Sequence, residues 1–214
     1  LDVLLELPQA DLQRTAVTGL SGGGWQTIVL SSLDERIRLA VPVAGYSAVA
    51  QRLDNSNSIG DLEQNPVDLA AIADYVHLTA MMVPRPLMMI YNTRDDCCFV
   101  ASTVKPNTFD PVMPFYSQAG HLDRLQYYEN SDPGTHNYER DNRQQLYRFL
   151  NQHFFPDSDQ TSEEVASKEE VLSDEQLVVP LPTTGTDFNT LAAEAAQTLP
   201  RPLDETNTQQ RARL

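Results

Sequence analysis

The stretch Gly19-Leu20-Ser21-Gly22-Gly23-Gly24-Trp25 does more than any other to limit what this chain can become. It follows a brief β-branched run, Arg14 to Thr18, and opens onto Trp25 to Leu33, whose apolar residues recur three and four apart. Strand, sharp turn and helix follow from that pattern. A serine raised at the tip of such a turn sits on strained backbone. Glycines two positions either side of it, Gly19 and Gly23, remove side chains where strand and helix approach most closely. The N–H of Gly22 is then available to an oxyanion, and the helix start favours negative charge there. The pattern is that of a nucleophile elbow. Two other readings compete: a glycine-rich loop that contains a serine by chance, and a phosphate loop. The second lacks the Lys-Ser/Thr ending of a P-loop, and Trp25 would crowd a phosphate.

Around this turn the chain alternates short apolar strands with helical stretches. Leu1 to Leu7 reads as the end of a helix, and Ile37 to Ala44 as a strand apolar enough to be covered on both faces. Gln51 to Asn65, rich in Asn, Ser and Asp without periodicity, reads as a surface loop. Asn65-Pro66 opens a helix with Leu69, Ile72, Ala73, Val76 and Ala80 on one face, stopped by Pro84. Pro86 to Tyr91 is the third strand. Asp110-Pro111 opens a further helix with Val112, Phe115 and Tyr116 inward and Gly120 as its stop, Leu125 to Glu129 is a fourth strand, and Asn137 to Phe155 a last helix. From Asp157 to Gln176 the composition turns acidic and Ser-rich, as in a linker. Beyond it Leu177-Val178-Val179 reads as a strand, and Asp187 caps a helix carrying Phe188, Leu191, Ala192 and Ala195. The expected division is therefore a catalytic α/β domain over residues 1–156 and an acidic extension, opening a further module, over 157–214.

A net charge of −15 argues against nucleic-acid or anionic-membrane surfaces, which need clustered Lys and Arg. No apolar run is long enough to cross a bilayer. The two cysteines, Cys97 and Cys98, are adjacent and lack companions at ligand spacing, so no metal site and no cofactor is expected. They read as two thiols at a strand end or as a strained vicinal disulfide. Compartment is not readable from these features.

The third strand delivers Asn92-Thr93-Arg94-Asp95-Asp96 at its carboxyl end, where α/β sheets collect ligands and catalytic groups. The loop Asn130 to Thr135 delivers His136 between the last strand and the last helix. His77 on a helix, His121 after Gly120 and His153 beside two phenylalanines have ordinary structural readings. A serine needs a base to take its proton, and the base needs a carboxylate to fix its tautomer. Ser21, Asp95 and His136 stand in the order Ser, Asp, His at strand ends, with Asp96 as the rival acid and the Gly22 N–H as an oxyanion donor.

The elbow, Pro84-Arg85-Pro86-Leu87, the turn Asp95-Asp96-Cys97-Cys98-Phe99 and the loop Asp132-Pro133-Gly134-Thr135-His136 together resemble bacterial α/β-hydrolases. Among these the chain looks most similar to acetyl xylan esterase-like and dipeptidyl aminopeptidase/acylaminoacyl-peptidase-like proteins. The resemblance covers roughly Leu1 to Phe155. It implies a mostly parallel eight-stranded sheet of which this chain supplies the last four strands. The N-terminal half of the domain, with the loop that gives the second oxyanion N–H, is then its missing partner. It also implies a serine hydrolase acting on a small-molecule or carbohydrate ester through an acyl-Ser21 intermediate. A prolyl oligopeptidase-type peptidase is the alternative, although Asn92 to Cys98 departs from the usual acid turn of those enzymes. A catalytically inactive fragment or binding protein is a third reading.

Overall fold

The computed structural model describes residues 1–66, 68–159, 161–180 and 185–198. The chain divides into two compact units, Leu1–Val165 and a second that begins at Ala166. In the first, a short helix α1 (Asp2–Leu5) precedes β1 (Ala16–Leu20), α2 (Gly22–Leu33) and β2 (Leu39–Val43). Next come α3 (Val49–Asp54), α4 (Leu69–Ile72), α5 (Tyr75–Ala80), β3 (Leu87–Asn92), α6 (Ala101–Val104), α7 (Met113–Gln118), β4 (Leu125–Asn130) and α8 (Arg140–Phe154). The four strands form one sheet in the order β1-β2-β3-β4, and every neighbouring pair is parallel. A parallel pair cannot be closed by a tight turn, so each connection crosses a face of the sheet and carries helix with it.

The period-two alternation of the central strands sorts their side chains between two cores. Leu87, Met89 and Tyr91 of β3 face one side, with Ile28 of α2, Tyr75 and Leu78 of α5, Val104, Phe109 and Tyr116. Met88 and Ile90 face the other with Leu39, Val41 and Val43 of β2, against Phe149, Leu146 and Leu150 of α8. Phe149 is fully buried, so its truncation to Ala costs about 3–5 kcal/mol. The first core is rich in tyrosine, and a buried phenol needs a partner for its hydroxyl. Tyr91 donates to Tyr46 O (2.7 Å), Tyr75 to Gln64 O (2.6 Å), Tyr116 to Arg85 O (2.7 Å) and Tyr127 to Ala101 O (2.8 Å). β1 bonds to β2 alone and is far more exposed than the two central strands.

Several expectations change in detail. Residues 51–65 are not a plain surface loop: Gln51, Arg52, Ser58 and Gln64 are buried. The Arg52 guanidinium donates to Ser47 O, Gln64 O and Asn65 Oδ1 and stacks over the Tyr75 ring, so it supplies a core for backbone that has no apolar periodicity. The single helix expected over 66–80 is two helices. Asp74 caps the second by accepting from the N–H of Val76 and is also held by the N–H of Val49 (3.0 Å), while Ala73 is extended and Ile72 is exposed. Phe115, expected inward, is half exposed, whereas Val112 and Tyr116 are buried; Gly120, at φ +74, ends that segment.

After α8 the chain returns along it. Arg143 pairs with Glu164 (2.7 Å), and Glu164 N donates to Gln144 Oε1 (2.7 Å). In the second unit Leu177 ends a short helix, α9 (Asp174–Leu177), and Val178 and Val179 are exposed without forming the expected strand. The helix expected after Asp187 is α10 (Phe188–Thr198), with Asp187 accepting from Thr190 N (2.8 Å). Among the described residues no helix is long and apolar enough to cross a membrane.

Candidate active site

Ser21 stands between β1 and α2 with φ 57 and ψ −120, a backbone conformation that L-residues rarely hold without support. Support comes from three close glycine approaches. A Cβ on Gly19 would lie 2.7 Å from the carbonyl of Gly23, one on Gly24 would lie 2.6 Å from Val43 O, and one on Gly45 would lie 2.4 Å from Gly24 C. Strand β1, the start of α2 and the end of β2 therefore interlock through bare backbone. Ser21 N donates to Val43 O (2.9 Å), and Trp25 N closes the first helical turn on Ser21 O (2.9 Å). Helix α2 begins at Gly22, three residues before the sequence periodicity becomes visible. As its first residue, Gly22 has no N–H partner within the helix. The carboxylate of Glu63 lies against Gly22, with Oε1 3.0 Å from where its Cβ would be.

Asp95 and His136 meet directly. The His136 Nδ1 to Asp95 Oδ2 distance is 2.9 Å, and the Asp95 side chain is fully shielded from solvent. Asp95 is held on both oxygens: Oδ1 accepts from the N–H of Cys97 (3.0 Å) and Cys98 (2.9 Å), and Oδ2 also accepts from Asn92 Nδ2 (3.2 Å). Burial alone would raise the Asp95 pKa. The bonds from His136, Cys98 and Asn92 outweigh it and hold the carboxyl below its ordinary range. The His136 pKa is raised, first by the bond to Asp95, against a lowering by burial, with further support from the Asp95, Asp96 and Asp61 charges.

Asp96 does not reach the imidazole. Its Oδ1 accepts from the backbone N–H of His136 (2.8 Å), which ties the turn after β3 to the loop after β4. That loop is fastened further by Arg94 N to Gly134 O (2.8 Å), by Gly134 N to Asn130 Oδ1 (2.9 Å) and by Arg94 on Pro133 O. Ser21 shares the carboxyl edge of the sheet with this pair, but among the described residues no hydrogen bond joins its hydroxyl to His136. Catalytic hydrogen bonds are often long without substrate and tighten only when it binds.

The other histidines lie elsewhere: His77 Nδ1 accepts from Asp74 N (2.9 Å) in a helix cap, and His153 packs edge-on against Phe149. Among the described residues no cluster of His, Cys, Asp and Glu could hold a metal ion.

Sequence reading missed a set of asparagines. Asn92 at the end of β3, fully buried, accepts from Asn137 Nδ2 (3.3 Å) and Asn142 Nδ2 (3.1 Å), and these bonds fix which way its own amide donates to Asp95. In the sequence they look like ordinary turn and helix-start residues. Their only signal is their position at a strand end and around the start of the last helix.

No protein-family model and no curated protein matches the sequence. Solved structures do. A methylesterase matches at 22% identity and a TM-score of 0.56 over 71% of this chain and 32% of its own. A glucuronoyl esterase from Solibacter usitatus matches at 14% and 0.54, over 70% and 45%. A carbohydrate esterase family 15 glucuronoyl esterase from Caldicellulosiruptor kristjansonii matches at 17% and 0.51, over 82% and 52%. The chain thus spans about a third to a half of the length of these structures. At such identities the likeness is one of fold: a parallel four-stranded sheet with covering helices, arranged as in part of these structures.

Proposed function

We propose that the chain carries the catalytic groups of a serine carboxylester hydrolase, with carbohydrate esters as its substrate class. Ser21 is the nucleophile, His136 its general base and Asp95 the acid that orients the base. The observation that carries this reading is the 2.9 Å bond between His136 Nδ1 and a carboxylate already held by backbone N–H groups, on the same sheet edge as a positive-φ serine. With Nδ1–H donated to Asp95, the imidazole presents a bare Nε2, the nitrogen that must take the serine proton. Ser21 Oγ attacks the ester carbonyl carbon and its proton passes to Nε2. The oxyanion gathers on the Gly22 N–H, and the alcohol leaves with the proton returned by His136. Water, deprotonated by the same nitrogen, then releases the acid from Ser21. The names of the structural neighbours, esterases of carbohydrate acids among them, support the ester over the amide. An ester also asks less of the acid, because its leaving group needs little protonation.

The test is labelling by a fluorophosphonate probe with the modified residue located by peptide mass, Ser21→Ala and His136→Ala alongside. Labelling of Ser21 that both variants lose supports the triad, and no labelling in folded protein overturns it. Comparison of p-nitrophenyl acetate with aminoacyl p-nitroanilides then separates esterase from peptidase.

A further inference from the structure

Cys97 and Cys98 are the only cysteines of the chain, and both are free thiols, the first exposed and the second partly buried. They sit two and three residues after Asp95, and both of their backbone N–H groups donate to its Oδ1. In an extended strand adjacent side chains point apart. Here residues 96–98 form a bend and not an extended strand. Burial first, and then the contact with Cys97 and the charges of Asp95 and Asp61, push the Cys98 thiol up to about 12.

We infer that Cys97 and Cys98 form a redox couple whose oxidation to a vicinal disulfide weakens the hold on Asp95 and so slows the proposed esterase site. A disulfide between adjacent cysteines closes a small ring that contains the peptide joining them, and the Cα separation of about 3.8 Å that a trans peptide fixes lies short of the roughly 4.4–6.8 Å that disulfides span. The ring therefore closes only with that peptide and its flanking dihedrals strained away from their relaxed geometry. That peptide carries the Cys98 N–H, which holds Asp95 Oδ1 at 2.9 Å. The bond that forms and the hydrogen bond that weakens belong to one rigid unit.

The oxidant is a small-molecule disulfide such as oxidised glutathione. The Cys97 thiolate, the accessible one, attacks one of its sulfurs and expels one thiolate. Cys98 then loses its proton and attacks Cys97 Sγ in the mixed disulfide, expelling the second glutathione as thiolate. Two thiols and one disulfide become one disulfide and two thiols, and the two electrons reside on glutathione. The strain of the small ring makes the couple easily reversed by thiols, as suits a switch rather than a staple.

This inference rests on the esterase reading, so its test carries a readout independent of catalysis. The full-length protein is equilibrated across ratios of oxidised to reduced glutathione. The Cys97–Cys98 crosslink is followed by peptide mass, the His136 titration by NMR and Ser21 by its fluorophosphonate labelling rate. Expected with the crosslink are a fall of the His136 pKa toward its ordinary value and a labelling rate reduced about ten- to hundredfold, part of the about 10⁴-fold that loss of such an acid's role costs. Both return on reduction. Cys98→Ser should show the same titration and rate with and without oxidant. Failure to crosslink at any ratio, a crosslink that leaves the His136 titration unmoved, or an equal response in Cys98→Ser overturns the inference. If Ser21 is never labelled in reduced protein, the esterase reading falls, and the crosslink and the His136 titration still decide the switch.

Discussion

Asp95→Asn is the substitution that most directly probes the site. The side chain is fully shielded and accepts five hydrogen bonds, the longest from Phe99 N at 3.5 Å. An asparagine there can keep its single oxygen on the Cys97 and Cys98 N–H groups, which turns its NH₂ toward His136 Nδ1 and Asn92 Nδ2. Asn92 cannot rotate to accept, because its oxygen is engaged by Asn137 and Asn142. One donor–donor contact in a buried site costs about 1–3 kcal/mol, and the lost charge-assisted bond to His136 about 1.5–3 kcal/mol. The expected destabilisation is roughly 2–5 kcal/mol after partial relaxation, readable as a shift in urea midpoint. Activity suffers differently. Facing an NH₂, Nδ1 must be bare, so the imidazole proton moves to Nε2, the position that in the proposed mechanism accepts from Ser21, and on that mechanism ester turnover should fall by about 10⁴-fold. Asp96→Asn keeps the oxygen that accepts from His136 N, and should lose less than about tenfold. An Asp95→Asn protein within about tenfold of the parent in p-nitrophenyl acetate turnover would refute the orientation argument.

The remaining perturbations address pH, backbone and the returning segment. Because the Asp95 bond raises the His136 pKa above 6.5, the acid limb of kcat/KM should lie above 6.5 in the parent and move down in Asp95→Asn. Stability runs the other way. The contribution of His136 is complete below 6.5 and lost as pH rises through its raised pKa, while that of Asp95 is present above 3.8 and lost as pH falls through its lowered one. Urea unfolding across pH should therefore show the pair's effect greatest between these values, at a pH below the activity optimum. Gly24→Ala puts a methyl 2.6 Å from a backbone carbonyl and should cost about 3 kcal/mol in chemical denaturation. Gly23→Ala, with nothing within 4 Å of the new Cβ, should be neutral or stabilising by up to about 1 kcal/mol; equal effects would contradict the interlock. Arg143→Ala should speed hydrogen exchange at the Glu164 amide, since the guanidinium pair holds residue 164 against α8.

The strands were legible because a parallel strand covered on both faces must be apolar throughout. Ile37 to Ala44 and Pro86 to Tyr91 have no other stable placement in water. The sharp turn between β1 and α2 was legible in part: where backbone meets backbone only glycine fits, and Gly19 records such a contact as expected, but a Cβ on Gly23 would meet nothing within 4 Å, and the other close approaches fall at Gly24 and Gly45. The connections were harder to read. Residues 51–65 bury polar side chains around Arg52 instead of apolar ones, and a guanidinium bonded to carbonyls leaves no periodicity. The break at Ala73 depends on Asp74 being held by Val49 N from 25 residues away, and no window around residue 73 contains that partner.

The choice between two adjacent carboxylates shows where local reasoning ends. Asp95 and Asp96 have the same chemistry and the same turn, and both reach His136, one at the ring and one at the backbone. Residues 97–99 decide which carboxylate takes which part. Phe99 is fully buried in the first core and draws this segment inward, so that successive N–H groups converge on one carboxylate oxygen. A carboxylate accepting several backbone donors stays ionised even when shielded from water. Asp95 can therefore be buried as an anion although Arg94 turns its guanidinium to the carbonyls of Ser131 and Pro133 instead of to the carboxylate, whose charge is left for the imidazole. Substituting Phe99 by Ala should loosen that convergence, weaken the hold on Asp95 and lower the His136 pKa, although residue 99 touches neither ring nor serine. An unchanged His136 titration in a folded Phe99→Ala protein would mean that the turn holds its shape without the core beneath it.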